Sequence, residues 1–142
     1  MATAIISLAS SVVGGLLVLA GQWMIHRSDD RRYWLGLLRD AAADVATSFS
    51  RERAILTDDR GEGKATSQAK EDPQVANRQQ ALNRLFMLPH GDAFIPHVTR
   101  LGECSMDLSE AYSGSDEEWH AARGRYLEAI QAFSAAVQQE MR

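Results

Sequence analysis

The sequence predicts an all-α protein: one N-terminal transmembrane helix followed by an antiparallel helical bundle of about four helices. Three observations predict it. No charged side chain occurs between Met1 and Ile25. Beyond Arg27, apolar residues recur at spacings of three and four, which is the period of one helix face. No stretch of useful length alternates apolar and polar residues as a half-buried strand does. Residues 1–26 are therefore read as a transmembrane anchor, and 27–142 as a cytoplasmic helical bundle with a flexible polar loop at 58–72.

The opening run meets the requirement of roughly 20 apolar residues for a helix that crosses the hydrocarbon core. A cleavable signal would begin with a basic n-region, and Met1-Ala2-Thr3 has no basic side chain. Arg27, Arg31, Arg32 and Arg39 all follow the run and none precedes it, so the positive-inside rule places the body in the cytoplasm. Trp23 reads as an interfacial anchor, with Arg27, Arg31 and Arg32 at the same membrane interface. Thr3, Ser7, Ser11 and Gly15 recur every four residues and share one helix face, the geometry of small-residue helix association.

Residues 31–57 form the first soluble helix, with Trp34, Leu38, Ala41, Val45, Phe49 and Leu56 on its stripe. Ser28-Asp29-Asp30 contains no obligate breaker, so this helix can continue the membrane helix. Segment 58–72 has almost no apolar residue and cannot bury a face. Asp72-Pro73 has the form of an N-cap followed by Pro at the first helical position. The helix it opens carries Val75, Leu82, Leu85 and Phe86 and stops at Leu88-Pro89-His90-Gly91. Asp92 is placed to cap the next helix, whose face is Ile95, Val98, Leu101, Cys104 or Ser105, Leu108 and Tyr112. Ser115 and Glu118 have capping-box spacing before a last helix carrying Trp119, Ala122, Tyr126, Phe133, Val137 and Met141.

Several functions are disfavoured by composition. The formal net charge of −4 lacks the basic stripe of a nucleic-acid binder, so no nucleic acid is expected as a partner. Cys104 is the single cysteine, which excludes an internal disulfide and a thiolate cluster. His90, His97 and Cys104 recur every seven residues, about 10.5 Å along a helix, too far apart to share one ion. Glu117 and His120 have the Glu-x-x-His spacing of di-metal bundles, but a second such pair is absent and a solvated first turn is the better reading. Gly61-Glu62-Gly63-Lys64 lacks the spacing of a phosphate loop. No catalytic, cofactor-binding or metal-binding residue is assigned, and no cofactor is expected.

The charge-free span, the stretch Arg31-Arg32-Tyr33-Trp34, a polar gap, a helix ending Ala81-Leu82-Asn83-Arg84-Leu85-Phe86-Met87-Leu88-Pro89 and a terminal Phe133-Ser134-Ala135-Ala136 helix occur in this order. That pattern resembles small, N-terminally membrane-anchored helical proteins of high-GC Gram-positive bacteria. The resemblance implies architecture; the group has no agreed activity and lends no catalytic residue.

The expectation is a non-enzymatic, membrane-tethered scaffold or adaptor, bound to membrane lipid and either homo-oligomeric or paired with another membrane protein. Tyr33, Trp34 and Trp119 are its candidate partner contacts if exposed, since aromatic residues dominate interface energetics; their stripe positions favour the core for Trp34 and Trp119. The alternatives are a membrane-perturbing effector of phage-lysis or defence type, acting through assembly of its span, and an accessory subunit of a larger membrane complex.

Overall fold

The structure, a computed structural model, describes the backbone of residues 2–142 and the side chains of residues 30–142. The span read at 1–26 has its side chains outside the described residues, as do Thr3, Ser7, Ser11, Gly15, Trp23 and Arg27. Among residues 30–142, whose side chains are described, no helix is long and apolar enough to cross a membrane. Every regular element of the described backbone is helical: α1 Ala2–Gly61, α2 Pro73–Ala76, α3 Arg78–Met87, α4 Ile95–Ala111 and α5 Asp116–Glu140, with short 3-10 turns at Ala69–Glu71 and Gly91–Phe94. The chain divides into two compact units, Met1–Gly36 and Leu37–Arg142.

The second unit is an up-down-up-down bundle formed by the C-terminal part of α1 with α3, α4 and α5. Cross-contacts set the directions: Arg84 meets Asp44 and Arg78 meets Ser48, so α3 runs against α1, while Ser105 meets Glu52 and α4 runs with it. Most of the core comes from the stripes that the periodicity predicts, but Trp34, Phe86 and Ile95, read as stripe positions, are exposed, and Phe94 and Ala69 are buried without having been read as stripe positions. Leu38, Val45 and Phe49 from α1, Leu85 from α3, Leu101 and Leu108 from α4, and Tyr126 and Phe133 from α5 are buried. Phe49 packs edge-to-face on Tyr126 at 6.3 Å and Phe94 on Phe133 at 5.8 Å.

Element ends follow local chemistry. Ser115 and Glu118 form the complete capping box at the start of α5, and Asp72 accepts from the Gln74 N–H with Pro73 in the first turn of α2. The helix expected from Pro73 to Leu88 is interrupted at Asn77, which gives the one-turn α2 and then α3. Asp92 does not cap α4. The chain leaves His90 in the left-handed region, closes a 3-10 turn over Gly91–Phe94, and only then enters the helix at Ile95.

α1 outlasts its predicted end at residue 57. Gly63, at φ 72°, is the left-handed residue of a Schellman closure in which its own N–H bonds Arg60 O at 3.0 Å and the Lys64 N–H bonds Asp59 O at 3.0 Å. Polar composition misplaced this boundary, because helix ends depend on the closing residue more than on hydropathy.

Two glycines make opposite predictions. A Cβ on buried Gly91 would lie 2.0 Å from Leu85 O, with backbone atoms on every near side, so Gly91→Ala should destabilise the bundle by about 2 kcal/mol or more. Gly102, inside α4, has nothing within 4 Å of such a Cβ. Gly102→Ala should therefore stabilise by roughly 0.5–1 kcal/mol through helix propensity alone. Urea midpoints of the full chain in mild detergent test both signs.

Candidate functional site

The second unit has a buried polar centre. Glu52 stands on α1 between Phe49 and Leu56, on the core face, with 6 % of its surface exposed. Its Oε2 accepts from Tyr126 Oη at 2.6 Å and Ser105 Oγ at 2.7 Å, and Arg78 Nη2 lies 2.9 Å away. The Arg78 N–H is not aimed along that line, so the last contact is a charge pair rather than a hydrogen bond. Arg78 Nε donates to Ser48 Oγ at 3.1 Å, and the guanidinium carbon sits 4.0 Å from the Phe49 ring centroid. Tyr126 also donates to Phe49 O at 3.1 Å.

Chemically this centre is a lock. Burial, reinforced by the Glu52 carboxylate, pushes the Tyr126 phenol far above its ordinary range, so it stays a donor and does not act as a base. Beside it a cavity of about 290 Å³ opens between α1, α4 and the chain that follows α1, with Glu52, Leu56, Ser67, Lys70, Ser109 and Tyr112 among its walls. Most of its polar atoms are already engaged: Ser67 donates to Asp59, Ser109 to Ser105 O, and Tyr112 to Lys64 O.

Asp59 fixes the segment after α1. It is 4 % exposed and accepts from Lys64 Nζ at 2.7 Å, Ser67 Oγ at 2.8 Å and the Gln68 N–H at 3.0 Å. The region read as a loop at 58–72 thus contains the last turn of α1, a carboxylate-centred turn, and the 3-10 turn whose Ala69 is buried. Lys64 foremost, then the Gln68 N–H and Ser67, hold the Asp59 carboxyl at about 2, below the 3.8 of an unperturbed group. A depressed folded-state pKa means the contribution is present above the unfolded value and lost as pH falls through the folded one. The Gln68 amide resonance should therefore move as pH drops from about 4 to about 2. In Asp59→Asn that titration should vanish and the Gln68 amide exchange faster at neutral pH; an unchanged amide would remove Asp59 from the role.

Arg60, one residue on, gathers the junction of α4 and α5. Its guanidinium donates to Ala111 O at 3.4 Å, to Tyr112 O, to Gly114 O at 3.0 Å and to Asp116 Oδ1 at 2.8 Å, and stands 5.1 Å from the Trp119 ring centroid. Ala111 O and Tyr112 O lie at the C-terminal end of α4, where the helix supplies no further intrahelical donors, and Gly114 O belongs to the turn that follows.

The sequence-based site residues separate into two groups. Trp119 is buried, edge-to-face with Tyr112 at 6.1 Å and beneath Arg60, so it packs in the core, as its stripe predicts. Tyr33 and Trp34 are exposed, although the stripe that places Trp34 in line with Leu38 predicts burial for the latter; Arg31 and Arg32 are exposed as well. Cys104 is fully buried and burial pushes its thiol up, which keeps it protonated. Among the described residues no three His, Cys, Asp or Glu side chains stand close enough to share a metal ion. Sequence reasoning passed over Arg78, Asp59 and Arg60, and included Glu52 only among many carboxylates.

No family model, curated protein or solved structure matches this chain.

Proposed function

We propose that this chain is a non-enzymatic, membrane-tethered helical scaffold that binds a protein partner, or a second copy of itself, at the cytoplasmic face of a membrane. The observation that carries the reading is the charge-free run Met1–Ile25 with Arg27, Arg31 and Arg32 directly behind it. The side chains of the bundle agree with it. Glu52, Asp59 and Arg60 direct their polar atoms to the fold itself, and the groups left toward solvent include apolar ones. At the α3–α4 corner Phe86, Met87 and Ile95 are exposed, Met87 to 87 %. That corner adjoins His90, whose ring lies 3.5 Å from Glu140, near the end of the bundle that also holds Arg39 and Met141.

Alkaline carbonate extraction of cell membranes tests the tether. The full chain should stay in the pellet and a chain lacking residues 2–25 should leave it; extraction of the full chain would refute the anchor. A photo-crosslinking residue at Met87 should give one discrete adduct, absent after Ile95→Ser. Collapse of membrane potential on induced expression would instead replace the scaffold by the membrane-perturbing effector.

A further inference from the structure

Five successive residues of α1, Asp30 to Trp34, are all exposed. At about 100° per residue they point to every side of the helix, so this level of α1 is a collar and not a stripe. Within it Tyr33 is 63 % and Trp34 43 % exposed, their rings edge-to-face at 5.6 Å. Two adjacent, partly exposed aromatic side chains on an otherwise charged turn make this the amphipathic surface of the segment.

We propose that Arg31, Arg32, Tyr33 and Trp34 form a collar seated in the anionic headgroup layer of the membrane, the guanidinium groups on lipid phosphates and the rings toward the outer, aqueous edge of that layer. The assignment rests on the tether reading above. Length fits: Trp34 lies nine residues beyond Ile25, roughly 13 Å of helix. Helical side chains lean back by about one turn, ~5 Å, which brings the rings within ~8 Å of the hydrocarbon edge. The headgroup layer on each side is about 5–8 Å thick. Chemistry fits too, since Trp and Tyr concentrate at this depth and arginine pairs with phosphate in forked geometry. The two rings lie together on one side of this turn, and Asp30, Arg31 and Arg32 fill the others, so the two arginines supply the cationic chemistry that a headgroup phosphate pairs with while Asp30 opposes it.

Lipid quenching of tryptophan tests the collar in the full chain. The protein is reconstituted into vesicles of phosphatidylcholine and phosphatidylglycerol that carry a phosphatidylcholine with a nitroxide on its headgroup. Buried Trp119 serves as the unquenched background. Trp23→Phe leaves Trp34 as the reporter, and Trp34→Phe leaves Trp23. Both variants should be quenched, the first losing roughly half of its emission, the Trp34 share. Arg31→Gln with Arg32→Gln in the Trp23→Phe background should restore much of that emission. Quenching of Trp23 without Trp34 overturns the collar and leaves the tether intact; if Trp34 is then shielded from aqueous acrylamide, a protein covers it instead. Absence of quenching in both variants overturns the tether, and the collar with it. Equal quenching of Trp34 in vesicles of phosphatidylcholine alone overturns the assignment to anionic lipid.

Discussion

Glu52→Ala is expected to lower the stability of the bundle by about 4 kcal/mol, the cost of leaving a largely buried guanidinium without its counter-charge. The substitution strips Arg78 of the carboxylate 2.9 Å away and leaves Tyr126 Oη and Ser105 Oγ without their shortest acceptor. Tyr126 keeps Phe49 O at 3.1 Å, so its hydroxyl is not orphaned, and Tyr126→Phe should cost only about 1–2 kcal/mol. The informative comparison is Glu52→Leu with Arg78→Met. If the pair serves mainly to fix how α3 lies along α1, removing both charges should cost far less than removing either, because apolar residues of similar volume replace an ion pair at little net cost. Urea unfolding of the full chain in mild detergent, followed by near-ultraviolet circular dichroism, measures all four proteins of the cycle. Additive losses would mean that Glu52 and Arg78 do not act as a pair.

That pair was legible in the sequence in a way the polar count concealed. Val45, Phe49, Glu52 and Leu56 keep the spacing of one α1 stripe, and Arg78, Leu82 and Leu85 keep that of α3, in line with Val75 of α2. An acidic residue at a core position of one helix and a basic residue at a core position of another are the signature of an internal ion pair. Periodicity also identified most of the hydrophobic core, because burial of a stripe is the main stabilising term for each helix. It could not show where along a helix the partners begin. Trp34 shares the stripe of Leu38 and stands in solvent, while Leu38, one turn later, is buried. Asp59 and Arg60 were lost because hydropathy ended α1 at residue 57. The closing signal was Gly63, a glycine placed where the left-handed residue of a helix end belongs.

The extra turn contributes the second large effect: Arg60→Ala should destabilise the bundle by about 3 kcal/mol, with Arg60→Lys recovering less than half of the loss. The guanidinium reaches Tyr112 O, Gly114 O and Asp116 at once, and a planar fork supplies donors in those separate directions where an ammonium is one point charge. Its positive charge also faces the C-terminal end of α4, the negative pole of that helix, whose own last turn has no basic residue. Asp116 is the weak member. Its side chain is 90 % exposed, so Asp116→Asn should cost no more than about 0.5 kcal/mol. The discriminating quantity is the ratio of these losses, read from thermal midpoints of the full chain in detergent. A loss for Arg60→Ala as small as that for Asp116→Asn would reduce Arg60 to a surface ion pair. A loss several times larger, accompanied by altered Trp119 emission, makes the end of α1 the clamp that joins α4 to α5.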